Sequence, residues 1–478
     1  MKKALLPVIA LLMIASAASA QTVWNRTATW NPTAAVTSQV GQGHGIAVDA
    51  AGKIWYQPFY ASETIPWAFA TPPATTVNTR ALYIFNPDGT PASFSPLLYI
   101  NYAGGVPRDT LGGRTILNAT NAKAFDPHTG RGLRADQNGN ILVAQFDRLY
   151  RLNHTTGAGM NKVIVPGGKS NAAPAVAKDN GLIFVAPVAP GTPMFMYDRD
   201  FNPLSNARNK TVGFSRSFEV SKDGNKIYWA GYDKHGVFQY QRADEFSAFD
   251  SSGVVIPGMD AESFAWQPGT GWLWVSAGSA NDGPNRFPNF TTTWAVDTWY
   301  AFNPAEFTVN TVPTAKARLT WVPRPECAAL RADPNATTAQ MVAQCGRSRG
   351  LAFSPDGTKA YVTTFAVNGE PAIQVFSPTA TNIETVDSSV PTAFTLEQNY
   401  PNPFNPQTNI RFTVNETGMA RLTVYDIMGR EITRLVDRYM APGTYEASFD
   451  GANLPSGTYI YRLELNGQAL TSRMTLLK

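Results

Sequence analysis

The chain has 478 residues, which is enough for two or three domains, each with its own core. Charged residues make up only 15% of it and aromatic residues 12%, alongside 38 Gly and 35 Pro. This composition excludes a coiled coil and charge-driven disorder, and it favours strands and turns over helices. The formal net charge of +4 is too small for bulk attraction of nucleic acid, which we exclude as a partner.

The first twenty residues have the features of a secretory signal peptide. Lys2 and Lys3 precede a short apolar run, and Ala18-Ser19-Ala20 is a small-residue cleavage site. We therefore expect residues 1–20 to be removed and the mature chain to begin at Gln21. The apolar run is too short to span a bilayer comfortably, and no later segment has about 18 uninterrupted apolar residues, so we expect no transmembrane anchor after cleavage.

A repeated pattern fills the middle of the chain. Each copy has an alternating apolar strand, a polar turn that contains Gly, and a second strand rich in aromatic and β-branched residues, which predicts a β-hairpin. Successive copies start 87, 42, 43, 46 and 87 residues apart, and a spacing of about 40–45 is typical of four-stranded propeller blades. The copies are Gly45–Tyr56, Gly132–Val143, Pro174–Val185, Ser217–Trp229, Ser263–Val275 and Gly350–Val362.

The repeats predict an all-β fold built on a β-propeller over residues 21–385. Six blades is the direct count, and the two double-length spacings leave seven or eight blades open, because each can hold a degenerate blade or an insertion. The repeats resemble those of NHL, streptogramin-lyase-like and YVTN propellers, most closely at His44–Trp55 and Arg349–Val362. The resemblance implies an architecture but no activity, because such propellers include enzymes, binding modules and scaffolds.

The composition changes again near the C-terminus. Residues 386–408 read as a linker, and short alternating strands over 409–478 predict a small Ig-like β-sandwich. The tail resembles the type A sorting domain of the type IX secretion system, through Tyr400–Pro406, Val424–Ile432, Leu454–Leu463 and the terminal Lys478. The resemblance implies export by the type IX machinery, with the folded protein released or attached at the outer cell surface of a Gram-negative bacterium.

Sequence motifs for catalysis are absent. The chain has no G-x-S-x-G nucleophile elbow, P-loop, dinucleotide fingerprint or EF-hand loop, while a Ser–His–Asp triad stays open because it has no fixed order. We expect the repeated acids, such as Asp49 and Asp136, to accept backbone hydrogen bonds in hairpin turns. Lactonase-like propellers hold Ca²⁺ in the channel, which makes Glu262, Asn171 and Asp260 candidate ligands, although no motif fixes a metal site.

Alignment of the repeats places polar residues at one equivalent position, immediately before the first strand. First strands line the channel of a propeller, so we expect these residues to form a ring at one end of it. Three arginines and a histidine against one glutamate predict an electropositive mouth that suits a carboxylate or sulfate group. Pairing of the arginines with backbone carbonyls or neighbouring acids is the alternative. The ring consists of His44, Arg131, Arg216, Glu262 and Arg349, with Ala173 as the apolar exception.

Aromatic residues fall into two groups. Those on second strands, such as Trp55 and Trp274, are expected to pack between blades. Those in loops lie outside the repeat pattern, and we expect them to form an exposed binding rim, represented by Trp67, Phe287 and Trp294. The loop group also includes Phe59, Tyr60, Phe69 and Phe290.

Cys327 and Cys345 are the two cysteines of the chain. In an exported protein they predict a disulfide, because zinc would need two further ligands and the four histidines have no metal-ligand spacing. The Ala-rich segments Glu326–Ala332 and Thr337–Gln344 predict two short helices in an insertion that this disulfide closes.

The sequence therefore predicts a secreted or cell-surface propeller that acts as a binding or structural protein, rather than as an enzyme, on an anionic or glycan ligand. The alternative is a hydrolase or lyase, lactonase-like and calcium-dependent, that acts in the central channel. Convergent acids or histidines with a bound cation would favour the enzyme, whereas an aromatic rim would favour the binding protein.

Overall fold

The structure is a computed structural model. The signal segment 1–20, Phe287 and most of the second predicted insertion helix lie outside the described residues. These are 22–32, 43–67, 76–104, 108–111, 114–116, 122–124, 130–167, 169–245, 247–278, 294–333, 336–337, 340, 345–365, 370–378, 383–387, 391–416, 418–440, 442–452 and 454–478. Strands make up 51% of the described residues and helices 3%, which confirms the all-β class.

Short antiparallel strands follow one another along the first quarter of the chain. The first repeat forms the sheet β2-β3-β6, and the long spacing after it contains the hairpin β4-β5 and a small sheet in the order β10-β9-β8-β7. The strands are β1 (Thr22–Trp30), β2 (Gly43–Val48), β3 (Ile54–Pro58), β4 (Glu63–Pro66), β5 (Thr76–Thr79), β6 (Tyr83–Phe85), β7 (Tyr99–Ile100), β8 (Arg108–Thr110), β9 (Arg114–Ile116) and β10 (Ala122–Ala124).

The next three repeats each form a separate antiparallel sheet. These sheets are β11 to β14, β15 to β17, and β18 to β21, each in chain order. Their strands are β11 (Gly130–Ala135), β12 (Ile141–Gln145), β13 (Arg148–Leu152), β14 (Gly159–Ile164), β15 (Ala175–Val176), β16 (Ile183–Val185), β17 (Phe195–Tyr197), β18 (Phe218–Val220), β19 (Lys226–Gly231), β20 (Gly236–Gln241) and β21 (Asp250–Pro257), with a 3₁₀ turn at Tyr232–Lys234.

The last two repeats are joined by the N-terminal strand. Strand β1 pairs antiparallel with the last repeat strand and parallel with the outer strand of the preceding repeat, giving the eight-stranded order β22-β23-β24-β25-β1-β28-β27-β26. The start of the chain thereby completes its last repeat. The elements are β22 (Ala261–Trp266), β23 (Leu273–Ala277), β24 (Thr298–Phe302), a 3₁₀ turn at Pro304–Glu306, β25 (Ala317–Thr320), α1 (Pro325–Ala332), β26 (Ser348–Phe353), β27 (Ala360–Thr364) and β28 (Ile373–Pro378).

The hairpin turns have the predicted chemistry. Asp49 Oδ1 accepts hydrogen bonds from the backbone N–H groups of Ala51 and Lys53, both at 2.9 Å, and Gly52 takes φ +79°. Asp49 Oδ2 also accepts from Trp55 Nε1 at 2.9 Å. The turn acid therefore fixes both the turn and an aromatic side chain of the second strand, which is fully buried between sheets. Trp274 is equally buried, so the second-strand aromatics are core residues.

The C-terminal unit is a sandwich of two four-stranded sheets, β29-β34-β31-β30 and β33-β32-β35-β36, around one apolar core. Phe412, Phe449, Tyr461 and Met474 belong to this core. The strands are β29 (Ile383–Asp387), β30 (Thr395–Leu396), β31 (Gln407–Val414), β32 (Gly418–Tyr425), β33 (Glu431–Met440), β34 (Gly443–Asp450), β35 (Gly457–Leu465) and β36 (Gln468–Leu476).

This sandwich includes residues that precede the expected boundary at 409. Strand β29 pairs with β34, strand β30 pairs with β31, and Phe404 is buried in the sandwich core. The linker prediction rests on a Thr/Ser/Val stretch without strand alternation that leads into Gln398–Thr408, whose Pro and Asn content also suits a turn that packs against a sheet. Among the described residues, we find no helix whose length and hydropathy would let it cross a membrane.

Candidate functional site

A β-bulge lies near the start of the first strand in at least four repeats. The register shifts between Gly43 and Gly45, and equivalent shifts occur at residues 130–132, 261–264 and 348–350. Ring residues occupy the bulged positions: His44, Arg131, Glu262 and Arg349. A bulge re-aims a side chain, which explains how these residues reach the axis while their neighbours pack between sheets.

The structure brings all the predicted ring residues to one cavity. Residues at or just before the first strands of all six repeats line it, and among the described residues none between Ile46 and Arg131 does so. The cavity volume is about 20 Å³, which holds roughly one water molecule. Only a very small group therefore fits inside, and a larger ligand would lie above the ring. Its polar lining includes His44, Arg131, Arg134, Arg216, Ser217, Glu262, Ser263 and Arg349.

The glycine after the bulge lets neighbouring first strands approach closely. A Cβ atom on Gly132 would lie 2.3 Å from Cβ of Ala173 and 2.6 Å from its Cα, so no larger residue fits there without movement of the backbone. The turn hydrogen bonds of the Ala177 backbone correspond to those of the Asp49 backbone. Counting back five residues from each gives Ala172, rather than Ala173, as the equivalent of His44. Ala173 nevertheless lines the cavity.

Glu262 is the buried acid of the ring. Its Oε1 atom accepts hydrogen bonds from Arg216 Nη1 at 2.6 Å and forms an ion pair with Arg349 Nη1 at 3.0 Å. The Glu262 side chain is fully buried and that of Arg349 is 4% exposed. The second carboxylate oxygen, Oε2, is buried without a hydrogen-bond partner among the described residues. The site therefore offers one acceptor next to fixed guanidinium groups.

Arg131 is held on a different side of the ring. Its Nε donates to Ser170 Oγ at 2.9 Å, and its guanidinium lies 5.1 Å from the centre of the Phe59 ring. Burial, followed by the like charges of Arg216 and Arg349, lowers the pKa of Arg131 to about 10. The group remains protonated at neutral pH.

His44 completes the ring as an uncharged donor. It is 7% exposed, and Nδ1 lies 3.2 Å from the carbonyl oxygen of Arg131, which accepts a hydrogen bond when Nδ1 carries the proton. Burial, followed by the charges of Arg349, Arg131 and Arg216, holds the pKa of His44 well below 6.5. Three cations thus face one carboxylate, and the ring carries a net positive charge at pH 7.

Aromatic side chains surround this positive ring on the mouth side. Phe365 lies 5.4 Å from Phe59 and 6.0 Å from Tyr60, measured between ring centres, and the guanidinium of Arg349 lies 5.4 Å from the Phe365 ring. Tyr60 is 43% exposed. Phe59 and Tyr60 were among the predicted loop aromatics, whereas Phe365 was missed because it directly follows a repeat strand. The mouth is therefore both cationic and aromatic.

The far end of the cavity is bridged by Arg134. Its Nε lies 3.0 Å from Glu219 Oε2, and its Nη2 donates to the carbonyl oxygen of Phe264 at 2.7 Å. These contacts join the second repeat to the fourth and fifth. A ligand would therefore enter from the aromatic end.

The prediction of an exposed rim at Trp67 and Trp294 is wrong. Trp67 is 5% exposed and packs with Ile65 and Val77. Trp294 is 3% exposed, and its Nε1 donates to the carbonyl oxygen of Pro257 at 3.0 Å. Both indoles are buried by apolar neighbours, and those of Trp294 include Tyr300 and Phe302, with ring centres 5.1 Å and 5.6 Å away.

The candidate calcium ligands do not form a cation site. Asp260 Oδ1 contacts His235 Nδ1 at 2.5 Å, and Glu262 is engaged by two arginines. The side-chain amide of Asn171 is buried with no hydrogen-bond partner in the described part of the chain. Within the described part of the chain, no three His, Cys, Asp or Glu residues are placed to hold a metal ion. The positive ring would also repel Ca²⁺.

The disulfide between Cys327 and Cys345 is confirmed, and both residues are fully buried. The first predicted insertion helix is α1. The insertion is anchored by Glu370, which is fully buried and accepts hydrogen bonds from the Arg324 backbone at 3.2 Å and Trp321 Nε1 at 3.3 Å. The chain runs from Cys345 through Arg347 directly into the ring, so the insertion supports the mouth.

Comparison with known proteins identifies the tail. Residues 398–476 match the secretion system C-terminal sorting domain family. No curated protein matches the chain. Among solved structures, a luciferin-regenerating enzyme is similar at 10% identity and TM-score 0.41, covering 71% of this chain and 92% of that one. A chain of the mitotic checkpoint complex is similar at 9% identity and TM-score 0.43, with 79% and 98% covered.

The sorting domain supports secretion of this chain through the type IX pathway, to the medium or the cell surface.

Proposed function

We propose that this chain is a secreted or cell-surface binding protein: a six-bladed β-propeller over residues 21–385 that binds an anionic ligand at its channel mouth, carried by an Ig-like sorting domain. The observation that carries the proposal is the ring itself. Three guanidinium groups and an uncharged histidine surround one buried carboxylate. Residues at or just before the first strand of each of the six repeats line the cavity, which supports the blade number.

The shape of the site narrows the ligand class. The cavity of about 20 Å³ admits little more than the head of a ligand, so the anionic group would sit on the arginines and the rest would lie against Phe59, Tyr60 and Phe365. Glu262 Oε2 is placed to accept a hydrogen bond from a hydroxyl group. A ligand that carries both a carboxylate and hydroxyl groups, such as a uronic acid residue of a glycan, satisfies both requirements.

Calorimetric titration with galacturonate, glucose and acetate tests this proposal. We expect galacturonate to bind best, because it alone carries both kinds of group. Arg131→Gln should weaken binding by about tenfold or more, since a charge-assisted hydrogen bond contributes about 1.5–3 kcal/mol. The exposed Arg318 is the matched control, and Arg318→Gln should bind as the wild type does. Failure of all three compounds, or equal binding by the Arg131 variant, would overturn the proposal.

The enzymatic alternative has one observation in its favour. His235 is 34% exposed and contacts the buried carboxylate of Asp260, which lies two positions before Glu262. A carboxylate-oriented imidazole can act as a general base. Turnover of lactones or aryl esters by the wild type, abolished in His235→Asn, would establish a hydrolase; binding of galacturonate without turnover supports the binding protein.

A further inference from the structure

The most exposed apolar side chains of the described residues lie in the sorting sandwich. Tyr400 is 82% exposed, Met428 77% and Ile427 70%, and Leu477 is 53% exposed. Outside the sandwich the highest value for a large apolar side chain is 56%, at Ile164. Exposed apolar groups at this density on a small domain mark a contact surface.

The two apolar residues at positions 427 and 428 are presented by an ordered turn. Asp426 Oδ1 accepts hydrogen bonds from the backbone N–H groups of Met428 at 2.9 Å and Arg430 at 3.0 Å, and Oδ2 accepts from Arg430 Nε at 2.6 Å. Gly429 adopts φ +78°, which the turn requires. Because the turn is fixed before any partner arrives, little entropy would be lost on binding.

The sheet register brings the four exposed residues toward one end of the sandwich. Tyr425, just before the turn, is paired with Ile460, and Gly457 is paired with Leu476, next to Leu477. Tyr400 lines a shallow groove of about 600 Å³ together with Thr458, Arg473 and Thr475, which belong to the same strands. We call Tyr400, Ile427, Met428 and Leu477 the apolar end.

We propose that an apolar pocket of the type IX export apparatus binds the apolar end. This inference rests on the proposed export of the protein by means of its sorting domain. It assigns the recognition of that domain to four side chains. Three of them fall within the segment that matches the sorting family, 398–476, and the fourth adjoins it. The exposed side chains of Arg430, Arg473 and Lys478 supply a polar rim around it.

An export assay with matched variants tests this surface. The double variant Ile427→Ser/Met428→Ser is compared with Met160→Ser/Ile164→Ser, which removes the same residue types at 50% and 56% exposure from the outer strand β14. In a cell with an active type IX apparatus, the ratio of exported to periplasmic protein should fall about tenfold or more for the first pair only. Tyr400→Ser should lower it in the same direction, and the thermal melting of each purified variant should match the wild type.

The possible outcomes distinguish a failure of the proposed surface from a failure of the sorting role. Wild-type export of the Ile427/Met428 variant, or an equal loss in the Met160/Ile164 variant, would overturn the apolar end. A wild-type dimer in solution that the Ile427/Met428 variant abolishes would also overturn it, because a second copy would then be the occupant. A chain ending at residue 390 tests sorting itself: its retention leaves the sorting role intact, and its export would overturn that role.

Discussion

Glu262 and Arg349 form a buried ion pair inside the cavity, with Oε1 and Nη1 3.0 Å apart. They come from the fifth and sixth repeats, and Arg216 of the fourth repeat contacts the same oxygen at 2.6 Å. One carboxylate therefore both connects three repeats and offsets part of the positive charge of the ring. Removal of that carboxylate should affect stability and ligand affinity in opposite directions.

Glu262→Gln should destabilise the repeat region by about 3–5 kcal/mol, because it leaves the buried guanidinium of Arg349 and the partly buried one of Arg216 without their anion. It should also tighten binding of sulfate, since the ring gains net positive charge. Urea unfolding followed by tryptophan fluorescence measures the first effect selectively, because all 11 tryptophans precede the sorting sandwich. Glu306→Gln, in a half-exposed pair with Lys316, is the control and should change stability by about 0.5 kcal/mol or less. Unchanged stability in Glu262→Gln would contradict the buried-pair account.

His44 should make the repeat region sensitive to acid. Its pKa in the folded state is well below the value of 6.5 expected when unfolded, so only the unfolded chain takes up this proton as the pH falls below about 6.5. Above that pH, His44 is uncharged in both states and the fold has its full stability. On acidification the free energy of unfolding falls by up to about 1.4 kcal/mol per pH unit. Because His44→Asn does not titrate, the difference in unfolding free energy between it and the wild type should shift with pH between 7.5 and 5. A difference that stays constant over this range would refute the assignment.

The N-terminal strand should be essential for the closed arrangement of repeats. Trp24 is 4% exposed and its ring centre lies 5.4 Å from that of Trp274 and 5.7 Å from that of Phe353. Trp24→Ala should therefore cost about 3–5 kcal/mol. The neighbouring Val23 is 39% exposed, and Val23→Ala should cost less than about 1 kcal/mol. Similar losses in both variants, measured by urea unfolding, would argue against closure through this strand.

Reduction of the disulfide should weaken ligand binding as well as stability. Cys327 and Cys345 are separated by 18 residues, for which the chain-entropy estimate is about 3 kcal/mol. Since the insertion leads directly into Arg347 and Arg349, its loosening should lower the affinity for galacturonate while the tail, which contains no cysteine, unfolds as before. Thiol counting confirms complete reduction under native conditions. Undiminished affinity in the fully reduced protein would show that the insertion does not support the mouth.

The repeat pattern predicted the positions of the ring residues because they depend on local chemistry. Each first strand ends in a turn of recognisable composition, and counting back from the turn gives the bulged residue, as from Asp49 to His44. The charge of the ring followed from the same alignment. The prediction was one residue out at Ala173, because the third repeat has one more residue between Ala177 and its turn glycine Gly181 than the first repeat has between Asp49 and Gly52.

Other parts of the site depend on contacts between distant residues. Arg134 reaches Phe264 across 130 positions of sequence, and β1 pairs with β28 about 350 positions away, so no local pattern signals either contact. The burial of Trp67 and Trp294 likewise depends on apolar neighbours that other segments of the chain supply. The sequence around a loop tryptophan does not show whether its indole faces solvent or packs in a core.

The central claim is that the ring binds an anion, and anomalous diffraction from crystals soaked in bromide tests it most directly. Bromide is small enough for the cavity, and it scatters strongly enough to be located without ambiguity. We predict a bromide peak in contact with the guanidinium groups of Arg131, Arg216 or Arg349, and its loss in Arg131→Gln. Bromide peaks elsewhere on the protein with none at the ring would contradict the claim.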